Sequence, residues 1–304
     1  MPSNLAVKIA GVPFKNPVIT ASGTFGFGKE YNELFPISKL GGISCKGTTL
    51  NARAGNPPPR VAETPSGMLN SVGLQNPGVE HFLSDALPWL KTQDITVIAN
   101  IAGHSTEDYC RAVNMLEGSS VDMIELNISC PNVKQGGLTF GTSCESVSAI
   151  TKAVRAHTTK PLMIKLSPNV TNIADIAAAA ENEGADAISL INTLTGMRID
   201  IKTHRPILHN NIGGLSGPAV FPVAVRMVWE VYKRVKIPVV GMGGISSWND
   251  AVEMMMAGAS AVMVGTAIFR DALAPVKIID GLEKFCIDNN IKNISEIVGT
   301  VNPY

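Results

Sequence analysis

Eight short runs of apolar, often β-branched residues recur along this chain, and segments with helical periodicity lie between most of them. The runs are Val18–Thr20, Gly42–Lys46, Ile95–Asn100, Met123–Asn127, Leu162–Leu166, Ala187–Asn192, Val239–Gly243 and Ala261–Gly265. Each is short enough for a strand and too apolar for one face to be solvated, as expected of strands buried in a parallel sheet. Amphipathic stretches cover Thr106–Glu117, Cys144–His157, Asn172–Glu183, Pro218–Val235 and Trp248–Ala257. Parallel strands need crossover connections, and eight such units in succession predict an α/β fold closed as a (β/α)8 TIM barrel. The helices after the first two runs are weakly marked.

The 304 residues suffice for one such barrel, and residues 1–304 read as a single domain. At 45% hydrophobic and 16% charged, the chain has the apolar mass for a large core. Lys plus Arg and Asp plus Glu balance at 25 each, so no global basic field attracts nucleic acid or anionic lipid. The segment Met1 to Gly11 lacks a signal peptide's basic start and apolar run, and no stretch reaches the roughly 18–20 apolar residues of a membrane span. The five cysteines (Cys45, Cys110, Cys130, Cys144, Cys286) include no Cys-x-x-Cys pair, so neither a metal site nor an intrinsic iron–sulfur cluster is expected. Their odd number without a secretion signal fits a reducing, cytoplasmic setting.

Three connections are long: Thr48 to Asp94, with the stiff Asn56-Pro-Pro-Pro59 segment, Ile128 to Ser143, and Thr193 to Gly217. In the barrel reading all three emerge at the C-terminal face, where such folds keep their chemistry. Leu5 to Phe14, punctuated by Gly11-Val-Pro13, predicts a small hairpin across the barrel bottom.

The seventh and eighth runs end in Gly241-Met-Gly243-Gly244-Ile-Ser246-Ser247 and Gly265-Thr266. These are the loops where barrels often bind phosphate, and glycines let backbone N–H groups approach anionic oxygens. Ser247 and Asp250 have capping-box spacing, which places a helix start just beyond. Gly217, before Pro218, offers a further backbone donor. Tight turns alone would also account for these glycines. Lys46 and Lys165 close two runs. Each either snorkels to solvent or supplies a fixed cation inside the barrel mouth.

Asn70, Asn100, Asn127 and Asn192 sit in or just after apolar segments, where each amide must find partners. With Asn132, Thr193 and the loop Asn70-Ser71-Val72-Gly73-Leu74, they suggest carboxamides converging on an imide or pyrimidine ring. Cys130 lies between two of them, in Asn127-Ile-Ser-Cys130-Pro-Asn132, with Lys134 nearby. A thiol there, with an ordinary pKa of about 8.5, can act as a general base when tuned. Cys45, Cys110, Cys144 and Cys286 are expected to be buried and inert. His104 reads as a structural or loop residue.

These motifs, with Ala21-Ser-Gly-Thr-Phe-Gly26, Lys46-Gly-Thr-Thr49, Asn70-Ser-Val-Gly-Leu-Gln-Asn-Pro77 and Ile191-Asn-Thr193, resemble the dihydroorotate dehydrogenase family over nearly the whole chain. Within it, Cys130 in place of a serine and the loop Pro131 to Gly137 look like the catalytic subunit of the class 1B, NAD-linked branch. The resemblance implies one non-covalent FMN held by Ser22, Lys46, Gly47, Asn100, Asn127, Lys165, Ile191, Gly217, Gly243, Gly244, Gly265 and Thr266. It implies dihydroorotate held by Lys46, Asn70 through Leu74, Asn127, Asn132, Asn192 and Thr193, with Lys46 at the substrate carboxylate. In this family Cys130 would take the C5 proton and hydride would pass from C6 to the flavin N5, yielding orotate for pyrimidine biosynthesis. Gly136, Gly137 and Gly141 would hinge a loop closing over the substrate. The chain has no dinucleotide-binding unit, so the resemblance also implies a partner subunit carrying FAD and [2Fe–2S], joined as two of each chain, that passes electrons to NAD+. Rival readings are a fumarate-using class 1A homodimer, another flavin-dependent pyrimidine oxidoreductase, and a non-catalytic barrel that binds a phosphorylated ligand.

Overall fold

In the computed structural model, which describes residues 4–128 and 141–304, the eight apolar runs form strands of one closed parallel barrel. In chain order these are Val18–Thr20, Gly42–Ser44, Thr96–Ile101, Met123–Asn127, Leu162–Lys165, Ala187–Leu190, Val239–Met242 and Ala261–Val264. Each pairs with its neighbour in sequence, and the eighth closes on the first through Val262 opposite Val18. Five predicted runs extended past the observed strands by one or two residues: Lys46, Leu166, Asn192, Gly243 and Gly265 lie just beyond the last strand residues. The expected ring of helices is present. Thr106–Glu117 buries Tyr109, Ala112, Val113 and Leu116 at helical spacing and exposes Glu107, Arg111 and Asn114. Ser105, Ser143, Asn172 and Ser247 cap four of the helices with side-chain oxygens.

The two early helical connections differ from the other crossovers. Only Lys29–Asn32 and a 3-10 turn at Ile37–Lys39 follow the first strand. The helical stretch after the second, Val79 to Lys91, passes through a π turn at Phe82–Ala86. That widened turn shifts the buried face along the helix, so no constant period marks it. Two further helices, Ala267–Arg270 and Ala274–Asp288, follow the eighth strand and complete the ring.

The hairpin expected at the N-terminus forms from Val7–Ile9 and Val12–Phe14. It lies at the barrel bottom, where Thr96 Oγ1, at the start of the third strand, donates to the Pro13 carbonyl at 3.0 Å. At the opposite end, two of the long connections are not irregular loops. Val61–Thr64 and Gly67–Asn70 from the first join Leu194–Gly196 and Gly213–Ser216 from the other in a four-stranded antiparallel sheet. No helix of the described residues is long and apolar enough to cross a membrane.

Candidate active site

The C-terminal ends of the strands open into a cavity of about 580 Å³, and the four-stranded sheet forms one of its walls. Ser22, Lys46, Gly47, Asn127, Lys165 and Ile191 line it at or just after strand ends. Gly217, Gly243, Gly244, Gly265 and Thr266 line one side, and Asn70, Ser71, Val72, Gly73, Leu74, Asn192 and Thr193 another. Residues predicted from widely separated stretches of sequence therefore face one space. Cys130, Asn132, Lys134, Gly136 and Gly137 lie outside the described residues. Asn100 is the exception among the rest. It does not line the cavity but lies buried in the barrel interior, bonded to Glu125.

Lys165 ends the fifth strand in register with Asn127 on one side and Ser189 on the other. It is 5% exposed, so it does not snorkel to solvent. Its Nζ lies 3.5 Å from Ser22 Oγ, at the outer limit of a hydrogen bond, and no carboxylate stands within ion-pair range among the described residues. An ammonium withdrawn from water with so little compensation favours an anionic or acceptor-rich ligand. Lys46 leaves the second strand with its N–H donating to the Gly26 carbonyl at 2.9 Å.

The carboxamides form a chain. Asn192 Oδ1 accepts from Thr193 N at 2.8 Å, and Asn192 Nδ2 donates to Asn127 Oδ1 at 3.3 Å. Tyr109, on the helix behind, donates its hydroxyl to the Asn127 carbonyl at 2.8 Å. Asn70 Nδ2 donates to the Gly214 carbonyl at 3.3 Å, which ties the two insertions together beside the cavity.

On the glycine side, Gly243 and Gly244 adopt φ of 124° and 78°, a path that side chains beyond glycine rarely follow. The capping box forms as expected, but it also claims nearby donors. Asp250 Oδ2 accepts from Ser246 N at 2.8 Å and Ser247 N at 2.9 Å. Gly243, Gly244, Gly265 and Thr266 line the cavity beside that helix start. Thr266 Oγ1 is held by Ser216 Oγ at 2.7 Å.

Some contributors carried no sequence signal. Arg270, at the end of the short helix after the eighth strand, reaches the cavity, and so do Ser66 and Ser216 from the inserted sheet. A solitary arginine on a surface turn is indistinguishable by type from a solvated one. Cys45, Cys110 and Cys286 are buried, as expected, and burial pushes their thiols up. Cys144 departs from expectation. It is exposed, because it opens helix Cys144–Arg155 directly after the Ser143 cap and on the solvent side. His104 does not line the cavity; its N–H donates to Asp108 Oδ2 at 3.2 Å, as suits a loop residue.

The sequence matches the family model described as dihydroorotate dehydrogenase over residues 4–286. Relatives from Thermoanaerobacter pseudethanolicus and Caldicellulosiruptor bescii are 52% identical over 298 and 299 residues, and one from Bacteroides fragilis is 53% identical over 300. Each alignment covers 98% of this chain and 99% of the relative, and all three are named dihydroorotate dehydrogenase B (NAD(+)), catalytic subunit. A cavity at the mouth of a parallel barrel, a buried lysine at its floor and a match over nearly the full length agree with one another: the chain belongs to the dihydroorotate dehydrogenase family.

Proposed function

We propose that this chain oxidises dihydroorotate to orotate with an FMN bound at the barrel mouth. The observation that carries the reading is Lys165, a buried lysine with no carboxylate in ion-pair range among the described residues, in a cavity that also presents the carboxamides of Asn70, Asn127 and Asn192. The described residues fit an FMN. The glycine backbone at 243, 244 and 265 suits a phosphate, and Lys165 suits an electron-rich ring. Asn100 Oδ1 is a buried acceptor without a hydrogen-bond partner among the described residues. When bound, FMN supplies the acceptor for the hydride leaving C6 of the substrate.

The chain's own residues do the rest. Lys46 meets the substrate carboxylate. Asn70 through Leu74, Asn127, Asn132, Asn192 and Thr193 hold the ring through its imide and amide edges. The Cys130 thiolate takes the C5 proton, which leaves the electron pair to form the new C5=C6 bond. Lys165 contributes a fixed positive charge that offsets the negative charge arriving with the hydride. Gly141 and the segment before it would close over the substrate and exclude water.

The name shared by the relatives, catalytic subunit with NAD(+), supports a partner chain. In this reading the partner carries FAD and [2Fe–2S], two of each chain assemble, and electrons pass through the partner to NAD+. The test uses the purified chain with its flavin. Dihydroorotate is expected to bleach the yellow absorbance in a stopped-flow mixing experiment, while NAD+ is not reduced unless the partner is added. Absence of bleaching would remove dihydroorotate as substrate. Rapid NAD+ reduction by the chain alone would remove the partner, and turnover with fumarate would favour the homodimeric alternative.

A further inference from the structure

Beneath the cavity, the barrel interior is not apolar throughout. Glu125 of the fourth strand is fully buried. Its Oε2 accepts from Ser44 Oγ and from Asn100 Nδ2, both at 2.6 Å, and its Oε1 accepts from Ser189 Oγ at 2.7 Å. Ser44, Asn100 and Ser189 are likewise shut off from solvent. Apolar side chains fill such layers in most barrels, and a buried carboxyl group is costly even when bonded. Strand periodicity puts Glu125 on the same inward face as Asn127, one layer lower, at a spacing of about 6.6 Å.

The bonds have a directional consequence at Asn100. The Asn100 amide turns its Nδ2 to Glu125, which accepts from it, and its Oδ1 away. That Oδ1 is buried and has no hydrogen-bond partner among the described residues. It points toward Gly47, since a Cβ built there would lie 2.8 Å from it, and Gly47 lines the cavity. A buried carbonyl left this way calls for a donor from a ligand. The oxidised flavin ring carries one N–H, on its imide edge.

We propose that Glu125 is a positioning residue for the cofactor: it locks the Asn100 amide so that its carbonyl accepts from the ring N–H. The inference rests on the FMN reading above. It predicts that geometry at position 125 matters and charge does not. Glu125→Gln can keep an oxygen toward Ser44 and Asn100 while its amide donates to Ser189 Oγ, which rotates to accept. Glu125→Asp keeps the charge but withdraws the acceptor by one methylene, about 1.5 Å.

The experiment is FMN affinity of the reconstituted full chain, read by recovery of flavin fluorescence on release. Each variant's denaturant midpoint is measured separately without flavin. Glu125→Gln is expected to stay within about threefold of the wild type and Glu125→Asp to bind about tenfold more weakly. Ser189→Ala, which removes a donor from the other oxygen, is expected to leave FMN affinity unchanged. Equal affinity in Glu125→Asp and wild type would overturn the proposal, as would a loss in Glu125→Gln matching that in Glu125→Asp. A shift in the midpoints alone, with affinities unmoved, would also overturn it, because that is the pattern of a purely structural cluster. Asn100→Leu supplies a second variant should Glu125→Asp not fold, and it too is expected to lose about tenfold. Unchanged affinity there would sink the proposal. A wild-type chain that takes up no FMN would instead defeat the cofactor reading itself.

Discussion

Asn70 and Gly214 stand opposite one another in the sheet that walls the cavity, although 144 residues separate them. Their pairing joins the insertion after the second barrel strand to that after the sixth, so neither wall of the site is complete without the other. Gly214 is required by what lies beside it. A Cβ there would collide with Thr193 Oγ1 and stand 2.6 Å from Thr193 Cβ.

Gly214→Ala is therefore expected to displace Thr193 and lower kcat/KM for dihydroorotate by about tenfold or more, as misplacement of a positioning group does. FMN content is expected to hold, because the collision falls on Thr193, which the flavin reading does not use. Steady-state kinetics with flavin absorbance on the same sample checks both halves. An unchanged kcat/KM would remove Thr193 from the substrate wall.

Lys165→Met keeps a similar length of apolar stem and removes the cation. Flavin reduction by dihydroorotate is expected to slow by about 100-fold, the scale of losing one preorganised electrostatic contact. The flavin's reduction potential is expected to fall, since the electron-rich form loses its counter-charge. Stopped-flow kinetics and a dye-equilibrated potential measurement read the two effects. A slowed rate at an unchanged potential would mean that Lys165 acts on substrate placement rather than on charge.

Cys130→Ala is expected to leave FMN bound and to slow flavin reduction at least about 100-fold, the contribution of a lost general base. The same stopped-flow bleaching reports it. A rate equal to the wild type would take Cys130 out of the mechanism.

Glu117 governs a separate, stability-linked pH effect. Its carboxylate accepts from Thr158 Oγ1, from Thr159 Oγ1 at 2.6 Å and from Thr159 N at 3.0 Å. These bonds hold its pKa down to about 2, against an ordinary 4.5. A depressed carboxylate adds stability above the ordinary value, and that stability drains away as pH falls from 4.5 through about 2. Glu117→Gln is thus expected to lower the denaturant midpoint at neutral pH, with the gap from wild type narrowing across that acid range. A gap independent of pH would mean that the Thr158 and Thr159 bonds do not depend on the charge.

The barrel was legible because its strands are locally encoded. Val18–Thr20 and Met123–Asn127, and the helix Thr106–Glu117, have the bounds that their apolar pattern predicts. The inserted sheet was not legible. Gly213–Ser216 and Gly67–Asn70 are short, glycine-bearing and only partly buried, and their partners lie far along the chain. Pairings of that kind are settled by tertiary contact and leave no period to read. Glu125 was overlooked for a related reason. A single acid inside an apolar run has no meaning until Ser44, Asn100 and Ser189 are brought around it from three other strands.

By itself, then, the sequence determined the alternation of strand and helix, the glycine turns after the seventh and eighth strands, and the motifs that mark the family. Those follow from local periodicity and residue chemistry. Only the tertiary structure decided that Lys165 is buried with no carboxylate in ion-pair range among the described residues, that Asn100 sits beneath the cavity rather than in its wall, and that two distant insertions build one sheet. Those outcomes depend on barrel closure, which sets every inward-facing side chain against neighbours that the linear order does not specify.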